Sequence, residues 1–186
     1  NKNLSPSEAY RFAKGEKVKA HNGMTARLRR PLDFLVIADH AYNLGLLTSL
    51  QGADQNLLKT EAGKQFYEEF LRIQNDPNRH FSQARLLEKN LVDDNVYSQS
   101  IWERVTASAD KYNDPGNFTA FIGYEWTSTG YEWTPLDSLS SMGNLHRVVV
   151  FKDNAEKVNQ ISPLSVYDSA NPEDLWRFLD RYQQLT

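Results

Sequence analysis

Four residues in this 186-residue chain combine the types and neighbours needed for metal chemistry. Asp39 and His40 close an apolar run, Glu125 closes a second, and His146 lies near the start of a third. Imidazole nitrogen with carboxylate oxygen is what a hard-to-borderline divalent cation takes when no thiolate is offered, leaving a position open for water or substrate. Cysteine is absent, which removes disulfides, thiolate metal sites and a cysteine nucleophile together. A cation held this way lowers the pKa of bound water to about 7 and neutralises an anionic oxygen nearby. Arg147, next to His146, is a further candidate, for an anionic group of a substrate.

Each residue also has a plainer reading. His40 reads equally as a histidine hydrogen-bonded at a strand end. Asp39 reads as a ligand, as a carboxylate that orients an imidazole, or as a cap on the next segment. Glu125 and His146 read as ligands or as strand-end surface groups, and Arg147 as half of a surface ion pair. His21 and His80 lie in polar, loop-like sequence and read as exposed. Arg27, Arg29 and Arg30 read as a solvated face rather than a phosphate site. Tyr124-Glu125-Trp126-Thr127 recurs as Tyr131-Glu132-Trp133-Thr134. The first copy ends a buried strand and takes the chemistry, while the second reads as loop, its aromatics packing or walling a cleft.

The elements that must position these residues follow from patterning. Ser5-Pro6-Ser7-Glu8 is a capping box with proline at the first helical position, and Gly15 stops the helix it opens. A polar turn at Asn22-Gly23 precedes residues 31–38, whose continuous apolar character predicts a strand buried on both faces of a parallel sheet. Residues 54–113 predict a mainly helical insertion of two or three helices, broken near Asn75-Asp76-Pro77 and at 90–93. Asp114-Pro115-Gly116-Asn117 is a turn opening onto a second strand, 118–124. A third strand spans 145–151, and Asn171-Pro172-Glu173-Asp174 caps a last helix through Trp176, Phe178 and Leu179. Should the second and third strands pair antiparallel, His146 returns to the edge that holds Glu125.

Strands alternating with helices predict one α/β domain over 1–186. Three strands are fewer than the roughly eight of a closed barrel, so the chain reads as an internal piece of a larger one. Hydrophobic residues make up 40% of it, enough for a sizeable core. Lys and Arg number 21 against 24 Asp and Glu, for a formal charge of -3, and this balance argues against a nucleic-acid partner. No apolar run approaches the roughly 18 residues of a membrane span. Zero cysteine fits an exported and a cytosolic protein equally.

Several strings carry a family resemblance: residues 5–16 (SPSEAYRFAKGE), Arg27 to Phe34 (RLRRPLDF), Ala38-Asp39-His40-Ala41, Phe121 to Ser128 (FIGYEWTS) and Gly143 to Phe151 (GNLHRVVVF). They resemble a bacterial family, domain of unknown function 3604, which is similar to the PHP (polymerase and histidinol phosphatase) superfamily of metal-dependent hydrolases. That resemblance runs through nearly the whole chain. It implies a distorted (β/α) barrel of PHP type, up to three zinc, manganese or iron ions, and hydrolysis of small phosphorylated molecules. It implies that Asp39 and His40 match the Asp-His motif after the first strand. Gly123 and Glu125 match the Gly-x-Glu motif, and His146 the histidine opening the return strand. The chain departs from the pattern in having no His-x-His and no further histidine after His146. The expectation is therefore a partial metal site that binds weakly and turns over little by itself. The alternative is a non-catalytic binding or structural domain on the same scaffold.

Overall fold

The computed structural model describes residues 4–20, 22–42, 44–76, 78–79, 85–128 and 145–185. His21, His80 and the second Tyr-Glu-Trp-Thr copy, residues 131–134, lie outside the described residues. Helix α1 (Pro6–Ala13) opens where the capping box predicts: the Ser5 amide donates to the Glu8 carboxylate at 2.8 Å. Gly15 ends it at φ +82°, a left-handed conformation that suits glycine. Strands β1 (Val18–Lys19) and β2 (Thr25–Ala26) then form a short antiparallel pair about the Asn22-Gly23 turn.

Strand β3 (Phe34–Val36) pairs parallel with β4 (Thr119–Thr127), which pairs antiparallel with β5 (His146–Phe151), so β4 is the centre of a three-stranded sheet. Between β3 and β4 come α2 (Leu46–Gln51), α3 (Gln55–Leu58), α4 (Glu61–Asn75), α5 (Arg85–Val92) and α6 (Asn95–Tyr112). Helix breaks after Asn75 and Val92 fall where the sequence predicts them, but residues 54–113 hold four helices and not two or three, because Thr60 caps α4 and parts it from α3. After β5 come α7 (Ala155–Val158) and α8 (Pro172–Leu185), the latter opened by an Asn171 side chain that accepts from the Glu173 amide at 3.1 Å.

The fold is a mixed α/β arrangement, and among the described residues no barrel closes. The helices lie on one face of the sheet. Trp102 of α6 is fully buried and meets Tyr124 edge-on at 6.0 Å and Phe151 at 6.2 Å, and Tyr182 of α8 meets Phe151 at 4.9 Å. The other face is largely open: Phe34, Val148 and Val150 are 62%, 57% and 49% exposed. This corrects the expectation that residues 31–38 form a strand buried on both faces. The parallel pairing holds, but β3 is a three-residue strand at the sheet edge, where helices cover only one face of its apolar run and Phe34 on the other meets only its neighbour Phe121. Among the described residues no helix is long and apolar enough to cross a membrane.

Two ties fix the sheet and the helices. Gly123, in the central strand, leaves no room for a Cβ, which would stand 2.5 Å from Val36 Cγ2 and 2.6 Å from the Val149 carbonyl oxygen. Asp54 caps α3 by accepting from the Asn56 amide at 2.8 Å and also pairs with Arg104 of α6. Burial raises the Asp54 pKa, but the Arg104 guanidinium and the capped amides outweigh it and hold the carboxyl below its usual value.

Gly123→Ala should cost about 1–3 kcal/mol through overpacking, read as a lower urea midpoint at unchanged m-value. Asp54→Asn keeps a cap but loses the charged pair. A carboxylate depressed in the folded state stabilises above its unfolded pKa, near 3.9, and loses that contribution as pH falls through the folded value. The stability gap between wild type and Asp54→Asn should therefore be open at pH 6 and close as pH drops below about 4.

Candidate metal centre

The site is built by register. Val36 lies opposite Phe121, and the same offset continues past the end of β3 to set His40 opposite Glu125. Two backbone hydrogen bonds fix that pairing: the Glu125 amide donates to the Asp39 carbonyl, and the Ala41 amide donates to the Glu125 carbonyl, both at 2.9 Å. On the other side of β4, Glu125 faces Val148 and Thr127 faces His146. His146 is thus the diagonal neighbour of Glu125, on the same face of the sheet. Glu125 does not end its strand, as its sequence suggests. It sits two residues inside β4, which runs on to Thr127.

The side chains converge. One Glu125 carboxylate oxygen lies 2.6 Å from His146 Nδ1 and the other 3.7 Å from His40 Nδ1. The two imidazole centroids are 5.4 Å apart. One ligand atom from each of the three residues lies within 4.8 Å of the others. Donors about 2.1 Å from a cation at tetrahedral angles sit roughly 3.4 Å apart, so these separations are within small side-chain adjustments of a coordination sphere. His40 Nδ1 is buried and has no hydrogen-bond partner. A buried nitrogen without a proton partner costs stability unless something else uses its lone pair, and a cation would. The residues therefore fit a divalent metal held by His40, Glu125 and His146.

The chain matches over residues 1–186 the family described as Protein of unknown function (DUF3604). It belongs to that family. Neither the comparison with curated proteins nor that with solved structures gives a match. DUF3604 membership agrees with the resemblance carried by the sequence strings and leaves the chemistry to be argued from the site itself.

The structure does not gather every candidate. Asp39 is absent from the converging cluster: its carbonyl holds Glu125, and its carboxyl lies above the ordinary value through partial desolvation although the residue as a whole is exposed. Arg147 follows His146 in a pleated strand and so points to the opposite face. There it lines the groove between β5 and α8 with Trp176, and its guanidinium donates to the His146 carbonyl at 2.9 Å. Arg27, Arg29 and Arg30 are all exposed, and Arg27 donates to the Gly15 carbonyl at 2.7 Å.

Tyr42 was not singled out by the sequence. Its ring stacks on His40 at 5.1 Å and 21°, and Tyr167 meets it edge-on at 6.0 Å. No sequence pattern pointed to it, because Ala41 and Tyr42 form a turn after the isolated His40 bridge.

Asp39→Asn should stabilise the metal-free protein at neutral pH. A carboxyl raised by desolvation penalises the folded state above its folded pKa, weakly here because Asp39 is exposed and solvent screens it, and the penalty fades as pH falls below the unfolded value near 3.9. Denaturation midpoints of wild type and variant should differ at pH 7 and converge in acid.

Proposed function

We propose that this chain carries the central ligands of a metal-dependent hydrolase, specifically a phosphoesterase acting on a small phosphorylated molecule. The observation that carries the reading is the convergence of His40, Glu125 and His146 from three different segments onto one face of the sheet, with a buried and unpartnered His40 Nδ1 among them. A structural ion pair needs one imidazole and one carboxylate. A second imidazole, held by backbone register and left without a proton partner, is a cost that a bound cation offsets.

Zinc, manganese or iron(II) suits this nitrogen and oxygen donor set. When bound, the cation supplies electrostatic neutralisation of an anionic substrate oxygen and makes water acidic enough to serve as nucleophile near neutral pH. The protein's own groups do the rest. Glu125 spans both imidazoles with its two oxygens, and its backbone is clamped between Asp39 and Ala41. Tyr42 covers one face of the His40 ring and limits its rotation. Asp39 assists through its backbone, the carbonyl accepting from the Glu125 amide at 2.9 Å and so holding Glu125 level with His40. Arg147 lies on the face away from the cluster, so phosphate recognition at this site does not run through it.

Three protein ligands hold one cation with open positions, fewer than a cluster of two or three metals requires. The chain by itself should bind zinc or manganese weakly and turn over slowly. Calorimetric titration of metal-stripped protein should give saturable binding. His40→Ala, Glu125→Gln and His146→Ala should each weaken it by tenfold or more, while Arg147→Ala should leave it unchanged. Identical affinity in all three ligand variants would sink the metal site. Tight stoichiometric metal with rapid turnover of a nitrophenyl phosphodiester would overturn the expectation of weak binding and slow turnover. Turnover of a carboxylic ester with none of any phosphoester would move the substrate class.

A further inference from the structure

The outer edge of β5 has no strand beside it among the described residues. The hydrogen bonds of β4 say which backbone groups are left there. Glu125 gives its amide to the Asp39 carbonyl and its carbonyl to the Ala41 amide, so it spends neither on Val148, its neighbour on the other side. Bonded and non-bonded pairs alternate along an antiparallel ladder. Arg147, Val149 and Phe151 therefore bond β4, while Val148 and Val150 turn their N–H and C=O groups outward. Among the described residues nothing takes these groups up.

Exposed edges are normally blunted by proline, a bulge or an inward charge. Here the middle of the strand is Val148-Val149-Val150, and charge is confined to Arg147 and Lys152 at its ends. Val148 and Val150 are 57% and 49% exposed on the face that carries Glu125. Beside the edge runs a groove of about 790 Å³ between β5 and α8, walled on the helix side by Trp176, itself 58% exposed.

A strand that fits this edge must offer outward backbone groups at the same spacing and apolar side chains on the open face. The β5 of a second copy does both. Side chains choose the register of such a two-fold, antiparallel pairing. With Val148 on the axis, His146 falls opposite Val150, and with Val150 on the axis, Val148 falls opposite Lys152. With Val149 on the axis, Val148 and Val150 meet each other twice, each pair exchanging both backbone hydrogen bonds and covering both valines. An interface of this kind is self-complementary and closes at two copies. The same register sets the partner's Lys152 opposite His146, on the same face, with the Cα atoms about 5 Å apart. Lys152 lies one residue past β5 and is exposed, and Asp153 beside it is already held by Tyr182 at 2.9 Å and Lys157 at 3.4 Å. Arg147 of the same chain faces away from the cluster, so the cation at this rim comes from the second copy.

We propose that β5 pairs with β5 of a second copy across a two-fold axis, joining the two sheets into one, and that each copy's Lys152 completes the other's candidate metal centre by binding an anionic oxygen of the substrate. The pairing stands on the strand edge alone, whereas the role of Lys152 rests on the metal-hydrolase reading.

Sedimentation equilibrium of the whole chain should show monomer and dimer in exchange, half associated at about 10 to 500 µM, as suits a short, partly solvated interface. Val150→Pro removes an outward N–H and none that bonds β4, and Val150→Lys puts a charge against the partner's Val148 without touching the backbone. Each should weaken the dimer tenfold or more and leave zinc affinity as it was. A chain that stays monomeric to about 1 mM, or variants that dimerise as the wild type does, would overturn the pairing. A monomer that instead takes up a synthetic extended peptide at this edge would overturn the second copy as its occupant. In zinc-loaded protein above the dimer constant, Lys152→Ala should keep the dimer and weaken phenylphosphonate by about tenfold. Mixing Lys152→Ala chains with Glu125→Gln chains should restore binding, because one centre of the mixed dimer takes its metal ligands from the first and its lysine from the second. Unchanged phosphonate affinity in Lys152→Ala, or no recovery on mixing, would overturn the role of the lysine. A dimer that holds no zinc removes the metal reading and that role with it, whereas a monomer that holds zinc removes the pairing and leaves the metal reading standing.

Discussion

Everything proposed for this protein depends on the register of one central strand. Glu125 is held on one side by the Asp39 carbonyl and the Ala41 amide, and on the other by its pairing with Val148. Side chains alternate along a strand with a period of two, so a slip of one residue on either side would send an imidazole to the far face of the sheet. The same slip of β5 would turn Val149 and Phe151, both buried, out of the core. The hydrophobic core and the candidate metal centre therefore select the same register, and buried apolar residues that touch none of the three candidate ligands hold the site in place.

That coupling also explains the asymmetry of the sheet. Helices cover the face bearing Tyr124, Val149 and Phe151, where Trp102 and Tyr182 close the aromatic cluster. The face bearing Glu125 and His146 also carries Phe34, Phe121, Val148 and Val150, with Phe34 and Phe121 meeting edge-on at 6.1 Å. A reactive centre on the open face reaches small molecules without parting the core. Gly123 belongs to this arrangement: any side chain there would collide with Val36 and with the backbone of β5, two residues before Glu125.

Much of this was readable from residues alone, where local physics decides. The capping box at Ser5, the breaks after Asn75 and Val92, and the Asn171 cap depend on groups within four residues of one another, and they appear where the sequence predicts. His40, Glu125 and His146 were legible as a donor set because their types and apolar flanks are local facts too. The burial of β3 was not. A run such as 31–38 looks the same whether one face or two will be covered, and which it is depends on elements far along the chain. The side of Arg147 was misjudged for a related reason. Adjacency to His146 suggested a shared site, whereas in a strand adjacent residues are the two that cannot share a face. Tyr42 escaped notice because it lies in a turn, where strand alternation says nothing about which side a ring takes.

The duplicated Tyr-Glu-Trp-Thr sharpens that lesson. In the first copy Tyr124 and Trp126 are buried, the Trp126 indole donating to the Ser169 carbonyl at 3.2 Å, while Glu125 between them turns outward to two imidazoles. The tetrapeptide is an amphipathic strand fragment, with two large rings that anchor it and one acid presented on the opposite face. Its chemistry comes from what the fold sets across from that acid, His40 by parallel register and His146 by an antiparallel diagonal, and not from the four residues themselves. A copy of the same string without those two partners would keep the anchoring and lose the site. Identity of motif is therefore weaker evidence for metal chemistry than the offset that places one strand against the next.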